Sequence, residues 1–391
     1  MEKKYDIIVI GAGPAGSYAA FVTARAGCRV LILEKDPVVG VPVRCGEGVG
    51  MVGLKMTLEP RSEWFGARCK GVKLISPSGY QVTVHDSNAA VLDRTIFDKA
   101  ICDMAVAQGA TLLTSCMATG LIEKEGQICG VKIKFTNQKD AQEFDLEAKI
   151  VIAADGVESR IARLAGLNST NALRDLEVTA SYVMDHIQDQ EYCYFYTGKK
   201  IAPGGYVWIF PKGGDRANVG IGIVGSAARY KKPIEYLDHF VKTYLPHSRV
   251  IDRFVGSVPV GLVMKKTTRD GFMVIGDAAH HVNPVSGGGI TYGLNAAKFA
   301  GRVAAESIRR GDYSDRRLRK YHQEWVRKIG KSQRRSYRLK EVLMKVPDEV
   351  IDQTAERLMK KKKGRTNFLS AFVPLVKHRP RVVWDVFRIF F

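Results

Sequence analysis

Tyr5-Asp6-Ile7-Ile8-Val9-Ile10 opens the chain and runs directly into Gly11-Ala12-Gly13-Pro14-Ala15-Gly16; a helix length later comes Arg29-Val30-Leu31-Ile32-Leu33-Glu34. The first run is apolar, β-branched and bounded by glycine, the pattern of a parallel strand buried on both faces. In the turn, Gly11 permits the tight bend and Gly13 lets backbone N–H groups approach a ligand with no Cβ in the way. Gly16 lets the following helix lie close on the strand. The N-terminus of that helix carries the positive end of its dipole, which suits phosphate. Glu34 ends the second strand, where a carboxylate can accept both hydroxyls of an adenosine ribose and disfavours a 2′-phosphate. The spacing predicts a dinucleotide clamp, and this stretch alone leaves open which dinucleotide it holds.

Outward from the clamp, 391 residues are enough for two interleaved domains with a sizeable core, and 46% hydrophobic content argues against large-scale disorder. Seven cysteines, none in a C-x-x-C pair, argue against a disulfide framework and against zinc or iron–sulfur centres. No metal is expected, and a reducing cytoplasm is. The apolar run after Lys3 and Lys4 is too short for a signal peptide, and no stretch is long and uncharged enough to span a bilayer. The net charge of +20 is concentrated late, in Arg309-Arg310, Arg316 to Lys320, Lys331 to Lys340 and Lys360 to Lys363. Nucleic acid, anionic lipid headgroups and an acidic electron-carrier protein all prefer such a face, as does plain solvent. Regular aromatic interleaving, expected for stacking on bases, is missing from the basic runs, so nucleic acid is not expected.

In chain order, Pro37 to Gly48 reads as a glycine-rich loop beside the clamp. Val72-Lys73-Leu74-Ile75 and Tyr80 to Val84 read as strands of a second domain, and Arg94 opens a helix that returns to the first. Thr111-Leu112-Leu113 is a further parallel strand, Leu121 to Phe135 a hairpin, and Lys149 to Gly156 another apolar strand with its turn. From Glu177 to about Met264 the pattern becomes alternating, rich in tyrosine and glycine. The expected fold is α/β: a Rossmann-type nucleotide domain (1–71, 92–176 and 265–330) interleaved with an antiparallel substrate sheet (72–91 and 177–264). A basic, apolar, helical extension (331–391) follows.

Two later stretches bear on the ligand. In Pro203-Gly204-Gly205-Tyr206-Val207-Trp208-Ile209-Phe210-Pro211, the alternating Tyr206, Trp208 and Phe210 share one face of a strand and make an aromatic wall. Gly271 to Ala279 is an apolar strand that ends in Asp277; Pro284, Gly287-Gly288-Gly289-Ile290 and a long alanine-rich helix follow. Asp277 can bind a ribityl hydroxyl, and the glycine-opened helix presents N–H groups to the N1–C2 edge of a flavin. A nicotinamide protein has no need of this second clamp. FAD is therefore the expected cofactor.

Four stretches, Gly11 to Gly16, Pro42-Val43-Arg44-Cys45-Gly46-Glu47, Pro203 to Pro211 and Gly276-Asp277 to Ile290, carry a resemblance to the geranylgeranyl reductases. Within that family the chain is most similar to the archaeal digeranylgeranylglycerophospholipid reductases, whose fold resembles p-hydroxybenzoate hydroxylase. The likeness runs to about Ile308. The first and last stretches are common to many flavin hydroxylases, whereas P-x-x-Y-x-W-x-F-P with the cysteine loop is specific to this family. Beside the turn glycines Gly11, Gly13 and Gly16 read above, the resemblance implies FAD contacts at Ala15 and Glu34, at Cys45, Gly46 and Gly48, and at Arg94, Ala118, Asp277, Gly289 and Ile290. Only for Ala118 do the residues themselves offer no argument. It further implies saturation of geranylgeranyl chains on an ether-linked glycerophospholipid, with Tyr206, Trp208 and Phe210 lining the lipid channel. An isolated alkene is not polarised by a carbonyl, so hydride from flavin N5 has to be coupled to a proton on the other carbon. Cys45 is the catalytic candidate, as proton donor or as a residue shaping the flavin site. His280 and His281 are assigned no role.

The same clamp serves FAD monooxygenases, and a non-enzymatic flavoprotein docking on membranes through the basic tail is a further alternative. Absence of a second nucleotide fingerprint favours an acidic ferredoxin as electron donor, although a reduced nicotinamide or deazaflavin cofactor needs no such fingerprint. The expected location is the cytoplasm, peripheral to the inner membrane face through the basic C-terminal region.

Overall fold

The computed structural model describes residues 2–85, 88–138 and 142–360. The expected Rossmann-type core is an eight-stranded sheet in which the first strand, Lys4–Ile10, lies between Glu143–Ala153 and Val30–Leu33, parallel to both. Thr111–Leu113 continues the parallel run on one side and Phe272–Val274 on the other. Consecutive apolar residues form these strands because both faces are covered. Ile7, Val9, Ile32 and Ile152 face a core closed by the helices Pro14–Arg25, Arg94–Ala107 and Ile290–Arg310. Ile8, Leu31, Leu33 and Val151 face the opposite core, closed by the hairpin Cys116–Lys124/Gln127–Phe135. Gly301 lets two of the helices cross closely, since a Cβ there would lie 2.9 Å from Val22.

The second sheet has seven strands, in the order Arg249–Pro259, Leu176–Asp185, Arg216–Val224, Tyr206–Gly213, Tyr192–Tyr196, Gly71–Ile75 and Gln81–His85. All pairings are antiparallel except Tyr192–Tyr196 with Gly71–Ile75. One face carries Tyr182, Met184, Val207, Ile209, Val219 and Ile221 and is covered by the helix Pro233–Tyr244 through Leu237 and Phe240. The sequence reading treats this segment as part of a strand-rich run. Its apolar residues Ile234, Leu237, Phe240, Val241 and Tyr244 fall at helical spacing, and the proline at its start is well placed for a first turn. A small third sheet joins Gly48–Gly50, Ala89–Leu92 and Phe65–Arg68.

Residues 331–360 form two helices, Lys331–Leu343 and Asp348–Lys360, which fold back onto the body. The Gln333 side chain donates to the carbonyls of His280 and Val282, and Asp352 accepts from the hydroxyls of Ser76 and Ser78. Lys340, expected in the exposed basic run, is instead buried against Asp175 at 3.0 Å. Exposed on the same helix are Lys331, Arg334, Arg335 and Arg338, spaced so that they form one basic face. The terminal apolar cluster and the run 361–363 lie outside the described residues.

Candidate functional site

The glycine turn is packed as its spacing predicts. Gly11 has φ +99° and a Cβ there would meet the Ala154 carbonyl at 2.5 Å, while one on Gly16 would lie 1.9 Å from the Gly11 carbonyl. A Cβ on Gly13 would meet nothing within 4 Å, so that glycine faces open space. Beside it starts the helix Pro14–Arg25, whose N-cap has no side-chain partner, leaving its first N–H groups available. Glu34 is held at the end of its strand: Ala12 N–H donates to one carboxylate oxygen at 2.8 Å and Asp36 N–H to the other at 3.0 Å. Each oxygen keeps a further lone pair.

The cysteine loop lies against the aromatic wall. A Cβ on Gly46 would sit 2.8 Å from Trp208 Nε1, and one on Gly48 would sit 2.8 Å from the Phe210 ring. Glycine at both positions is what allows the close approach. The Cys45 sulfur accepts the Glu47 N–H at 3.2 Å, and burial pushes the thiol up although the Arg94 guanidinium opposes the shift. Arg94 itself is locked by paired contacts of 2.7 and 2.6 Å to Asp98, so it stays charged. Buried Glu47, in the left-handed region with φ +67°, holds the loop together. Its carboxylate accepts from Arg94 N–H at 2.9 Å, from the Lys212 ammonium and from the Asn218 amide.

On the far side, the turn after Phe272–Val274 presents Asp277. Burial pushes this carboxyl up to about 6, against the pull of Arg94. A Cβ on Gly289 would lie 2.8 Å from Asp277 Oδ1. The 21-residue helix Ile290–Arg310 begins at Gly289 without a side-chain cap, a second set of free N–H donors at the positive end of a dipole. His280 contacts the Ser169 carbonyl through Nε2, and His281 is buried 4.2 Å from Trp325, held neutral by desolvation. Neither histidine lines the cavity.

These segments enclose one cavity of about 300 Å3. Of the expected residues, Gly13, Ala15, Cys45, Gly46, Gly48 and Arg94 line it from one side. Asp277, Gly289 and Ile290 line it from a second, and Tyr206, Trp208 and Phe210 from the third. Gly11, Gly16 and Glu34 support the turn without lining the cavity, and Ala118 lies outside it, paired with Ile133 in the hairpin. The sequence reading assigns no site role to Glu47, nor to Glu177, Thr179 and Ser181, which form a polar stripe along Leu176–Asp185. In sequence this stripe alternates with Val178, Ala180 and Tyr182, the pattern of a strand with one wet face. The face is directed at the cavity.

Between the aromatic and polar stripes runs Arg216–Val224, in which Asn218, Gly220 and Gly222 are in register with them. A Cβ on Gly220 would lie 2.3 Å from the Trp208 ring and 2.5 Å from Ser181 Oγ. The missing side chains let the Trp208 ring, Ser181 and the Glu177 carboxylate lie over the middle of the sheet, since a Cβ on Gly222 would be 3.0 Å from Glu177 Oε2.

Comparison with known proteins agrees with this layout. A family model described as FAD dependent oxidoreductase matches residues 6–203, half of the chain, and one described as geranylgeranyl reductase catalytic domain matches residues 175–258. The chain is 39% identical to digeranylgeranylglycerophospholipid reductase 2 of Methanococcoides burtonii, over 100% of this chain and 97% of that one. It is 42% identical to the digeranylgeranylglycerophospholipid reductase of Methanocella arvoryzae, over 92% of each. A crystal structure of a geranylgeranyl bacteriochlorophyll reductase-like protein from Thermoplasma acidophilum superposes with a TM-score of 0.92 at 32% identity, covering 99% of both chains. Near-full-length identity to these reductases, together with the two family matches, places the chain in the geranylgeranyl reductase family of FAD-dependent oxidoreductases, among the digeranylgeranylglycerophospholipid reductases.

Proposed function

We propose that this protein hydrogenates the isoprenoid double bonds of geranylgeranyl chains on an ether-linked glycerophospholipid, such as 2,3-di-O-geranylgeranylglyceryl phosphate. The observation that carries the reading is a single cavity bounded by both flavin-clamp turns, the cysteine loop and the wall of Tyr206, Trp208 and Phe210. Reduced FAD supplies a hydride from its N5. The residues present fit that cofactor: Gly13 leaves room for a pyrophosphate before a helix N-terminus, Glu34 keeps acceptor capacity for a ribose, and Gly289 leads into a second uncapped helix. In this reading Asp277 takes a ribityl hydroxyl, Gly289 and Ile290 take the N1–C2 edge, and Cys45, Gly46, Gly48 and Arg94 border the ring system. Ala15 and Ala118 flank the remainder of the cofactor. The aromatic wall holds the hydrocarbon against the ring and excludes water.

Membrane contact is proposed through the basic face Lys331, Arg334, Arg335 and Arg338, which suits anionic headgroups and keeps the protein peripheral to the cytoplasmic leaflet. Among the described residues no helix is long and apolar enough to cross a membrane. The same charge suits an acidic ferredoxin as electron donor, with a reduced nicotinamide or deazaflavin as the alternative.

The test is to reduce the purified flavoprotein with dithionite, add digeranylgeranylglyceryl phosphate, and weigh the lipid by mass spectrometry. Gain of one hydrogen molecule per double bond is expected. Unchanged lipid, with oxygen consumed when NAD(P)H is supplied, would favour a monooxygenase instead.

A further inference from the structure

The cavity holds one acidic group that binding of a hydrocarbon and a flavin leaves unexplained. Glu177 is 7% exposed and lies on the polar stripe of the sheet, diagonally across the strand Arg216–Val224 from Tyr206. Its Oε2 would be 3.0 Å from a Cβ on Gly222. Both Oε2 and the Tyr206 hydroxyl come within 4 Å of the position a Cβ on Gly287 would take, in the turn that leads to the uncapped helix. No hydrogen bond or ion pair reaches the Glu177 carboxylate among the described residues. Lys340 is the cation that acts on it, but its three protons are already engaged, by Asp175 Oδ1 at 3.0 Å and the carbonyls of Arg174 and Val260 at 3.1 and 3.2 Å.

An unpaired carboxyl in such a place is costly when ionised, so the neutral acid is favoured. Burial pushes it up to about 7, with Lys340 opposing from a distance. Asp277, the other carboxyl on the cavity held up by burial, titrates at about 6 and lies beside Gly289 at the clamp turn, whereas the phenol and the thiol on the cavity are weaker acids than Glu177. Tyr206 spends its proton on the Ser286 carbonyl at 2.6 Å, and burial pushes both that phenol and the Cys45 thiol upward.

We propose that Glu177 is the catalytic acid of the alkene reduction, delivering its carboxyl proton into the cavity that it lines. In the step, the alkene π pair forms a C–H bond to that proton at the less substituted carbon, and the O–H bond of Glu177 breaks to leave a carboxylate. The more substituted carbon, where positive charge is best borne, accepts the hydride and its electron pair that reduced FAD gives up on becoming oxidised. Water then reprotonates the carboxylate. This inference rests on the reductase reading and adds to it the source of the proton.

Two measurements test it. In FAD-free protein, the infrared carbonyl band of a protonated carboxyl, followed against pH, should contain a component that disappears near neutral pH in wild type and is missing from Glu177→Gln. The same band in both proteins overturns the proposal. In dithionite-reduced holoenzyme, single-turnover lipid hydrogenation by wild type should fall as pH rises through neutrality. Glu177→Gln should be slower by about 100-fold or more with no such pH dependence, and Glu177→Asp should restore part of the rate. The titratable and charged groups around Glu177 are Lys340 on the C-terminal helix, Tyr206 two strands away, and Arg44, Cys45, Glu47, Arg94 and Asp277 along the same cavity. If Cys45→Ala, rather than Glu177→Gln, abolishes the pH dependence, the thiol is the donor and the proposal falls. Wild-type hydrogenation with an equally fast Glu177→Gln would sink the acid role and leave the reductase standing, whereas no hydrogenation by wild type would sink both.

Discussion

The Glu47 carboxylate accepts the backbone N–H of Arg94 at 2.9 Å, so a loop residue and the first residue of a helix nearly fifty positions later are held as one unit. Lys212 and Asn218, from two strands of the other sheet, close on the same carboxylate. One buried side chain thereby joins the two sheets at the cysteine loop. Glu47→Ala would leave the half-buried Lys212 ammonium without its carboxylate and take one partner from the buried Asn218 amide, a loss of about 1 to 3 kcal/mol. Urea denaturation of the FAD-free protein should register it as a lowered midpoint, and an unchanged midpoint would mean the network adds no stability.

Glu34 offers a separable test of the nucleotide end. Glu34→Ala removes the acceptor for Ala12 N–H and the proposed partner of the ribose, contacts worth about 1.5 to 3 kcal/mol for a charged acceptor. FAD affinity measured by titration calorimetry should drop roughly 10- to 100-fold. Thermal stability of the FAD-free form should change less, because the strand carrying Glu34 is buried through Leu31, Ile32 and Leu33.

The packing of Trp208 over Gly220 should be sensitive to a single methyl group. Gly220→Ala places a Cβ 2.3 Å from the Trp208 ring, and the indole can give way only by moving into the cavity or into its neighbour Phe210. FAD content should survive while lipid hydrogenation falls by more than about tenfold, a split visible by comparing the flavin spectrum with product mass. Equal loss of both would instead indicate a folding defect.

Stability should depend on pH through Glu177. In the folded protein its carboxyl titrates at about 7, against 4.5 unperturbed, so between these values the unfolded chain has released the proton and the folded chain still holds it. Stability therefore falls as pH rises through that window and levels off above it. Glu177→Gln should be close to neutral at acid pH and stabilising by up to about 3 kcal/mol above neutrality. Denaturation curves at pH 5 and pH 8 measure the difference; identical shifts at both would contradict a buried neutral acid.

Much of this was legible without coordinates, and the boundary of legibility is physical. The Gly11 to Gly16 turn, the acids Glu34 and Asp277 and the alternation of Tyr206, Trp208 and Phe210 are local patterns, and the strand or helix they sit on fixes what they face. Glu177, Thr179 and Ser181 are also an alternating pattern, but a strand facing water and one facing a ligand cavity use the same residues. Only the position of the opposite wall distinguishes them. Glu47 stayed hidden because its partners Lys212 and Asn218 are remote in sequence. Lys340 reads as one more charge in a basic run, and Asp175, which draws it inward, is far earlier in the chain.

The way the C-terminal helices grip the body bears on how the protein is made. Asp352 fastens to Ser76 and Ser78, Lys340 to Asp175, and Phe272–Val274 completes the sheet begun by Lys4–Ile10 through Glu143–Ala153. A ribosome adding about 5 to 20 residues each second exposes the nucleotide turn almost at once, yet the strand carrying Asp277 and the clasp over Asp175 emerge last. The nascent chain must therefore wait, with apolar strand edges uncovered, until nearly all of it has been synthesised. A chain terminated between residues 34 and 277 would hold the Gly11 to Gly16 turn but lack Asp277, Gly289 and Ile290, which line the pocket.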